Sequence, residues 1–251
     1  MCTLVILRRP GTDWPLMLAA NRDEMVDRPW QAPGPHWSDR KDVIAGRDAL
    51  SGGSWLGINR DGVVAAVLNR YGTLGPAPGK RSRGELVLEA LDHADAATAA
   101  AALSELNPDA YRGFNLVIAD TRHAFWLTLR PEESAIECQP LPTGLSMLTS
   151  RELNDPDSPR IQLYKPQFEV APAPDPDTGD WRAWETLLAS RSYGEAAGPG
   201  GAMCVEMEGG FATVSSSLIA LTENPSKDPQ WRFCPGRPDR EAFEPLPLFE
   251  R

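Results

Sequence analysis

This chain of 251 residues has fewer basic than acidic residues, with 25 lysines and arginines against 35 aspartates and glutamates. The formal net charge of -10 leaves no broad basic face, which argues against binding to nucleic acid or to an anionic membrane surface. No apolar run approaches the roughly 18 residues that a membrane helix needs, and Arg8 and Arg9 interrupt the first run too early for a secretory signal. We therefore expect a cytoplasmic protein without a transmembrane segment.

Histidine and cysteine are also scarce. The 3 histidines and 4 cysteines are widely spaced and include no Cys-x-x-Cys pair, which argues against a structural metal site. In a reducing compartment the cysteines are expected to be free thiols. The composition, 41% hydrophobic and 24% charged, is typical of a globular protein, and since no linker divides the chain we expect a single domain over residues 1–251.

Short apolar runs predict β-strands that are covered on both faces. These runs cover residues 4–7, 16–20, 63–68, 115–119 and 217–221. Proline and glycine between the first two runs predict a hairpin connection. Asp61-Gly62 predicts a tight turn between residues 54–58 and the strand over 63–68.

Helices are predicted between the groups of strands. They cover 82–96 with Ser82 as the cap, the alanine-rich segment from Asp95 to Asn107, the segment 158–168 broken by Pro166, and a segment from Asp180. This order of elements fits two stacked sheets flanked by helix layers, and an α+β fold with one large sheet would give the same pattern.

Cys2, directly before the first strand, has two interpretations. A buried cysteine at the start of a strand is common, because a free thiol packs as a small apolar group. Removal of Met1 would instead give Cys2 both a thiol and an α-amine, and an amine with a pKa of about 7.7–8.0 can accept the thiol proton near neutral pH. The second interpretation makes Cys2 an N-terminal nucleophile.

The segment Asn21-Arg22-Asp23-Glu24 follows a buried apolar run and brings polar side chains to the end of a predicted strand. Alternation along a strand sends Asn21 and Asp23 to one face and Arg22 and Glu24 to the other. If the sheet is buried on both sides, at least one of these pairs turns towards covered space, where an arginine needs a carboxylate or carbonyl partner.

Several short motifs together resemble the NRDE family, also called the transport and Golgi organisation protein 2 family. They are MC at the start, LAANRDE, RP at 28–29, GGSWLGIN, AAVLNR, RSRGELV and GFNLVIAD, in the family's order and approximate spacing over roughly the first 120 residues. The chain departs from the family near its C-terminal end, where Val214 stands in the position of an expected arginine.

The resemblance implies an N-terminal-nucleophile hydrolase-like fold of the α+β class, with four layers in the order αββα and two stacked, mainly antiparallel sheets. It places Cys2 in the nucleophile position of an enzyme that cleaves C–N amide or related acyl bonds, with Arg22 or Asp23 orienting the amine and thiol. By resemblance to cysteine hydrolases of this fold, Asn69 is the better candidate for an oxyanion donor. Asn115, at the start of another strand, is the second candidate, with an Asx turn as the alternative.

The resemblance also implies an association with haem handling and lipid metabolism. We expect no required cofactor and a small-molecule ligand with an anionic group, and the alternative function is a non-catalytic haem carrier on the same fold. Trp55 would line the apolar pocket, although a core tryptophan is a simpler interpretation. The ligand's anionic end would meet the polar residues Asn21, Glu24, Arg70, Arg81 and Arg83, unless the basic loop is merely solvated.

Overall fold

A computed structural model describes residues 2–131 and 133–249. Within them the chain forms two compact units. Unit 1 comprises residues up to Arg28 together with Pro142–Leu248, and unit 2 comprises Pro29–Leu141 together with Phe249. Unit 1 therefore carries Cys2, and the single domain expected from the sequence stays a prediction.

The strands of the described residues fall in the following order along the chain. They are β1 (Thr3–Arg8), β2 (Leu16–Met25), β3 (Trp30–Gly34), β4 (Val43–Asp48), β5 (Leu56–Asn59), β6 (Val64–Asn69), β7 (Phe114–Ala119), β8 (Ala124–Leu129), β9 (Glu137–Pro140), β10 (Gly144–Leu148), β11 (Phe211–Leu221), β12 (Gln230–Cys234) and β13 (Glu244–Pro245). Every apolar run from which a strand was predicted lies in or overlaps one of them.

The α-helices are α1 (Gly84–Leu91), α2 (Ala96–Ser104), α3 (Pro159–Val170) and α4 (Arg182–Leu188), and 3₁₀ turns cover Pro108–Ala110, Glu195–Ala197 and Pro199–Gly201. The expected break at Pro166 was wrong: α3 continues through it, because buried side chains on one face, among them Tyr164 and Phe168, hold the helix in place. Ser82 does not cap Glu85 but accepts from the amide of Gly84. Among the described residues, no helix is both long and apolar enough to cross a membrane.

The six strands described for unit 1 form an antiparallel sheet in the order β10-β1-β2-β11-β12-β13. One face of this sheet packs on α3 and α4. Val5, Met17 and Leu218 on that face form a core with Tyr164 and Trp184 of the helices. Cys2 directly precedes β1, and β2 carries Arg22 and Asp23; both strands lie inside the sheet, where pairing on both sides fixes their backbones.

Strand β2 is longer than the sequence predicts. Residues 21–24 were expected after the strand, but they lie within it, because β11 pairs with β2 from Leu221↔Leu16 to Phe211↔Met25. The long partner strand extends the ladder past the end of the apolar run. The polar residues therefore have the alternating directions of a strand rather than the freedom of a loop.

A β-bulge interrupts this pairing at Val214. Asp23 pairs with Thr213, and the preceding Arg22 pairs with Ser215, so that Val214 is the extra residue on β11. Strict alternation would send Thr213 and Ser215 to the same face. The extra residue instead places Thr213 on the face of Asp23, which is the helix-covered face.

The seven strands described for unit 2 form an antiparallel sheet in the order β3-β4-β5-β6-β7-β8-β9, with α1 and α2 packed on one face. The predicted hairpin between β5 and β6 is confirmed, and Gly62 in its turn has a φ of 86°. The glycine pair Gly52-Gly53 before β5 allows a close approach of two backbone segments. A Cβ on Gly53 would lie 2.5 Å from the carbonyl carbon of Gly84, where the loop before β5 meets the start of α1.

Candidate active site

Cys2 lies directly before β1 and beside β2. Its Sγ is 3.5 Å from the backbone oxygen of Asp23, a donor–acceptor distance that a thiol hydrogen bond spans. The β1–β2 register ends at the pair Thr3↔Asn21, and Cys2 and Arg22 are the residues next to this pair on their two chain segments. Cys2 is partly buried and Arg22 is only 6% exposed.

The two faces of the unit 1 sheet divide the candidate residues. Asn21, Asp23 and Thr3 lie on the face covered by the helices, since their side chains bond to groups from α3 and from the segment after α4. Alternation along β2 places Arg22 on the opposite face, and extending the alternation of β1 by one residue gives Cys2 the same direction. Arg22 is therefore the charged side chain that shares a face with the thiol, whereas Asp23 contributes its backbone oxygen.

The Asp23 carboxylate is completely buried and fully engaged. Arg160 donates from Nη1 to its Oδ2 at 3.0 Å, and the hydroxyl of Thr213 donates to its Oδ1 at 2.7 Å. The Asp23 side chain is 0% exposed and that of Arg160 is 4% exposed. Charge pairing and hydrogen bonds together compensate the burial of both ions.

Asn21 has a structural position next to this pair. Its Nδ2 donates to the carbonyl oxygens of Leu188 and Met203, both at 2.9 Å, and its Oδ1 accepts from Ser216 at 2.6 Å. The side chain thus joins β2 to the end of α4 and to the segment before β11. Its role as a ligand-binding residue stays a prediction.

Burial raises the pKa of the Cys2 thiol, and the negative charge of Asp23 raises it further, while Arg22 acts in the opposite direction. The thiol is therefore protonated at neutral pH and needs a base before it can act as a nucleophile. Met1, whose removal would free the amine of Cys2, lies outside the described residues.

Glu24 extends the same strand towards solvent. Its Oε1 accepts from the amide of Met25 at 2.9 Å, and its Oε2 lies 3.7 Å from Arg28. A partly exposed pair of this kind contributes little to stability. A ligand-binding role for Glu24 stays a prediction.

A buried polar network lies on the helix-free face of the unit 2 sheet. Asn115 Oδ1 accepts from Arg70 at 2.8 Å, from Thr128 at 3.0 Å and from Trp126 at 3.1 Å. Arg70 also donates to Thr128 at 2.9 Å. Asn115 thus lies within a strand and not in an Asx turn, and its oxygen anchors a buried arginine.

Asn69 ends β6, as expected, and is partly exposed. Asn69 is the last paired residue of β6, and its partner on β7 is Phe114. Phe114 belongs to the core under α1 and α2, so the Asn69 side chain lies on the same, helix-covered face of the sheet. Among the described residues, no hydrogen bond is made by its side-chain amide. The oxyanion role of Asn69 stays a prediction.

The basic loop is tied to its own unit. Arg81 donates to Glu85 at 2.8 Å and to Glu89 at 2.6 Å. Arg83 donates to the backbone oxygens of Thr73 at 2.8 Å and Gly113 at 3.0 Å. A ligand anion would have to compete with these partners, and haem binding stays a prediction.

The Trp55 side chain packs against other residues of unit 2. Its ring meets that of Trp30 edge-on, with 5.9 Å between centroids, and lies where a Cβ on Gly46 would come within 2.3 Å. Trp55 is partly exposed and belongs to neither of the two hydrophobic cores described above, so its place in a ligand pocket stays a prediction. In the described part of the chain, no group of three or more histidine, cysteine, aspartate or glutamate residues is placed to hold a metal ion.

Three residues of the site were not expected from the sequence: Thr3, Arg160 and Thr213. A signal existed for Arg160, because it lies four residues before Tyr164 on the buried stripe of α3. Thr213 gave no signal, since its direction depends on the bulge at Val214.

Two solved structures share the fold of this chain. An N-acylethanolamine-hydrolyzing acid amidase ortholog from Caenorhabditis elegans matches with a TM-score of 0.54 and 14% identity, over 87% of this chain and 92% of the other. A variant of conjugated bile acid hydrolase from Clostridium perfringens matches with a TM-score of 0.56 and 12% identity, over 93% and 89%. The fold is that of the N-terminal-nucleophile hydrolases, and the expected α+β sandwich class is confirmed.

The sequence comparison is more specific. The family model Transport and Golgi organisation 2 matches residues 1–188, and the chain belongs to this family. A Transport and Golgi organization protein 2 homolog from Bos taurus is 37% identical over 110 residues, which are 42% of this chain and 38% of the bovine protein. The chain thus matches well under half of that relative's length, and the resemblance stated from the motifs is confirmed.

Proposed function

We propose that the protein is an N-terminal-nucleophile cysteine hydrolase that cleaves an amide or related acyl bond through Cys2. The observation that carries the proposal is the position of the Cys2 thiol, 3.5 Å from the backbone oxygen of Asp23 in β2 and close to the buried Arg22, in a fold shared with an acid amidase and a bile acid hydrolase. Identity to those structures is low, so the likeness supports the scaffold and leaves the chemistry to the residues.

The reaction begins with a proton transfer. Because its pKa is raised, the thiol is protonated at neutral pH and needs a base. After removal of Met1, the α-amine of Cys2, with a reference pKa of about 7.7–8.0, is that base and takes the thiol proton. The thiolate sulfur then attacks the acyl carbon. Arg22 favours the charged thiolate, since its positive charge lowers the pKa of the thiol.

The remaining steps conserve atoms and charge. The tetrahedral oxyanion collapses, the C–N bond breaks, and the ammonium of Cys2 returns its proton to the leaving amine, which leaves a thioester on Sγ. Water then attacks the thioester with the amine as base. The products are a carboxylic acid and the restored thiol, and no oxidant or reductant is needed.

The test uses full-length protein made without an N-terminal extension and a panel of coumarin amides of straight-chain acids. Intact mass should show loss of Met1, and acid-quenched protein should carry an acyl adduct on the Cys2 peptide. Cys2→Ala should abolish release of the fluorophore.

Cys138→Ser is the matched control, because Cys138 is the exposed cysteine among the four and lies in unit 2. It should retain full activity. Quantitative retention of Met1, or hydrolysis by Cys2→Ala at the rate of the parent, would contradict the proposal.

A further inference from the structure

We propose that Arg160 is a positioning residue for the Cys2 nucleophile, holding the start of β1 and the Asp23 carboxylate from helix α3. This inference rests on the proposed function of Cys2. Arg160 lies 137 positions from Asp23 and 157 from Thr3 along the chain, and the fold alone brings the three together.

The contacts of the guanidinium are made by two of its nitrogens. Nη1 donates to the hydroxyl of Thr3 at 2.6 Å and to Asp23 Oδ2 at 3.0 Å, and Nη2 donates to the carbonyl oxygen of Gly200 at 2.8 Å. One planar group therefore joins the first residue of β1, the middle of the polar segment of β2 and the turn that contains Gly200. The rigid fork of arginine suits such a junction, and lysine cannot reproduce it.

Thr3 links this junction to the nucleophile. It is bonded directly to Cys2, and its pairing with Asn21 sets the register of β1 on β2. Because neighbouring residues of a strand face opposite ways, holding the Thr3 side chain on the helix-covered face holds Cys2 on the other. Arg160 therefore acts on the thiol through the backbone without touching it.

The pair also controls the charge behind the thiol. Asp23 accepts both from Arg160 and from Thr213, and its backbone oxygen lies 3.5 Å from the Cys2 sulfur. A buried ion pair is often no more stabilising than apolar packing of the same volume, so its presence beside the nucleophile favours a geometric and electrostatic role. The charge of the Asp23 carboxylate raises the thiol pKa, and the positive charge of Arg160, 3.0 Å from that carboxylate, opposes this effect.

The experiment measures iodoacetamide alkylation of the Cys2 peptide against pH by mass spectrometry, in a full-length Cys138→Ser background that removes the exposed thiol. Arg160→Met should raise the midpoint by about one pH unit, which is about tenfold slower alkylation at a fixed pH below it. Arg160→Lys keeps the charge and should keep the parent midpoint. Arg160→Met with Asp23→Asn should lower the midpoint again.

Lys165→Met is the matched control, because Lys165 is a cation on the same helix that pairs with Glu169 at the surface. It should leave the alkylation profile unchanged. A folded Arg160→Met protein with the parent midpoint would overturn the proposal and reduce Arg160 to a structural residue.

Thr3→Val keeps the ion pair and removes one contact, so it decides the question if Arg160→Met does not fold. It should raise the plateau rate of Cys2 alkylation, since β1 loses its anchor, and a parent plateau would overturn the proposal. Alkylation requires no substrate. An inactive protein with the expected alkylation shifts would therefore count against the hydrolase function alone.

Discussion

The hydroxyl of Thr213 donates a hydrogen bond of 2.7 Å to the buried carboxylate of Asp23, across a β-bulge at Val214. The same hydroxyl oxygen accepts from the amide of Val205 at 2.8 Å. Thr213 thus joins the polar segment of β2 to the chain that precedes β11. Bulges commonly re-aim a side chain beside a functional site, and this one supplies the second donor to Asp23.

Removal of that hydroxyl should destabilise unit 1. Thr213→Val leaves one oxygen of Asp23 and the amide of Val205 without their partner, and the expected cost is about 1–3 kcal/mol in the free energy of unfolding. Thr213→Ser keeps the hydroxyl and should cost less than half as much. Urea unfolding followed by circular dichroism measures both, and equal losses would show that the methyl group, not the hydroxyl, matters.

Replacement of Asn21 by aspartate should strongly destabilise the protein. Asn21→Asp replaces the amide that donates to Leu188 and Met203 by an oxygen facing two carbonyl oxygens, in a site that is 1% exposed. The unfolding free energy should fall by about 3 kcal/mol or more, because buried acceptors lose their donor. Ser216→Ala removes a single bond to Asn21 and should cost about 1 kcal/mol. A thermal melt of Asn21→Asp equal to that of the parent would contradict this account.

Substitution of Asn69 should affect the reaction, whereas substitution of Asn115 should affect stability. If Asn69 donates to the oxyanion, Asn69→Ala lowers kcat by about 100- to 1000-fold with little change in stability. Asn115→Ala removes the acceptor shared by Arg70 and Trp126, and should lower the unfolding free energy by about 2–3 kcal/mol. Parallel kinetics and melts distinguish the two, and an unchanged kcat for Asn69→Ala would assign the oxyanion to another donor.

Tyr111 should weaken the protein at alkaline pH. Burial raises the pKa of Tyr111 to about 12, above a reference value of about 10. The neutral phenol is favoured in the folded state, so its contribution is fully present below about pH 10 and is lost as pH rises towards about 12.

Tyr111→Phe tests this dependence. Its hydroxyl is buried without a hydrogen-bond partner among the described residues, so its removal should raise stability at pH 7 by up to about 1 kcal/mol. Between pH 9 and pH 12 the variant should lose less stability than the parent, by about 1–2 kcal/mol. Parallel pH-dependent losses in the two proteins would contradict the assignment.

Much of the architecture followed from local patterns. The apolar runs predicted six strands, β1, β2, β5, β6, β7 and β11, and Asp61-Gly62 predicted the hairpin between β5 and β6. These features depend on residues near one another in the chain. The length of β2 did not follow, because the pairing with β11 lies almost 200 positions away.

By itself, the sequence determined the family, six of the strands and the position of Cys2 ahead of the first strand, because each of these depends on residues that are contiguous in the chain. It also predicted that the residues of Asn21-Arg22-Asp23-Glu24 alternate between two faces. Only the tertiary structure decided which face the helices cover, and so which residues meet the thiol.

The partners of Asp23 were decided in the same way. Arg160 comes from a helix far along the chain, and Thr213 reaches the carboxylate because one extra residue changes the alternation of β11. Burial of a carboxylate demands partners but does not name them. Which side chains become the partners of the carboxylate depends on long-range pairing, and the local sequence pattern does not predict such pairing.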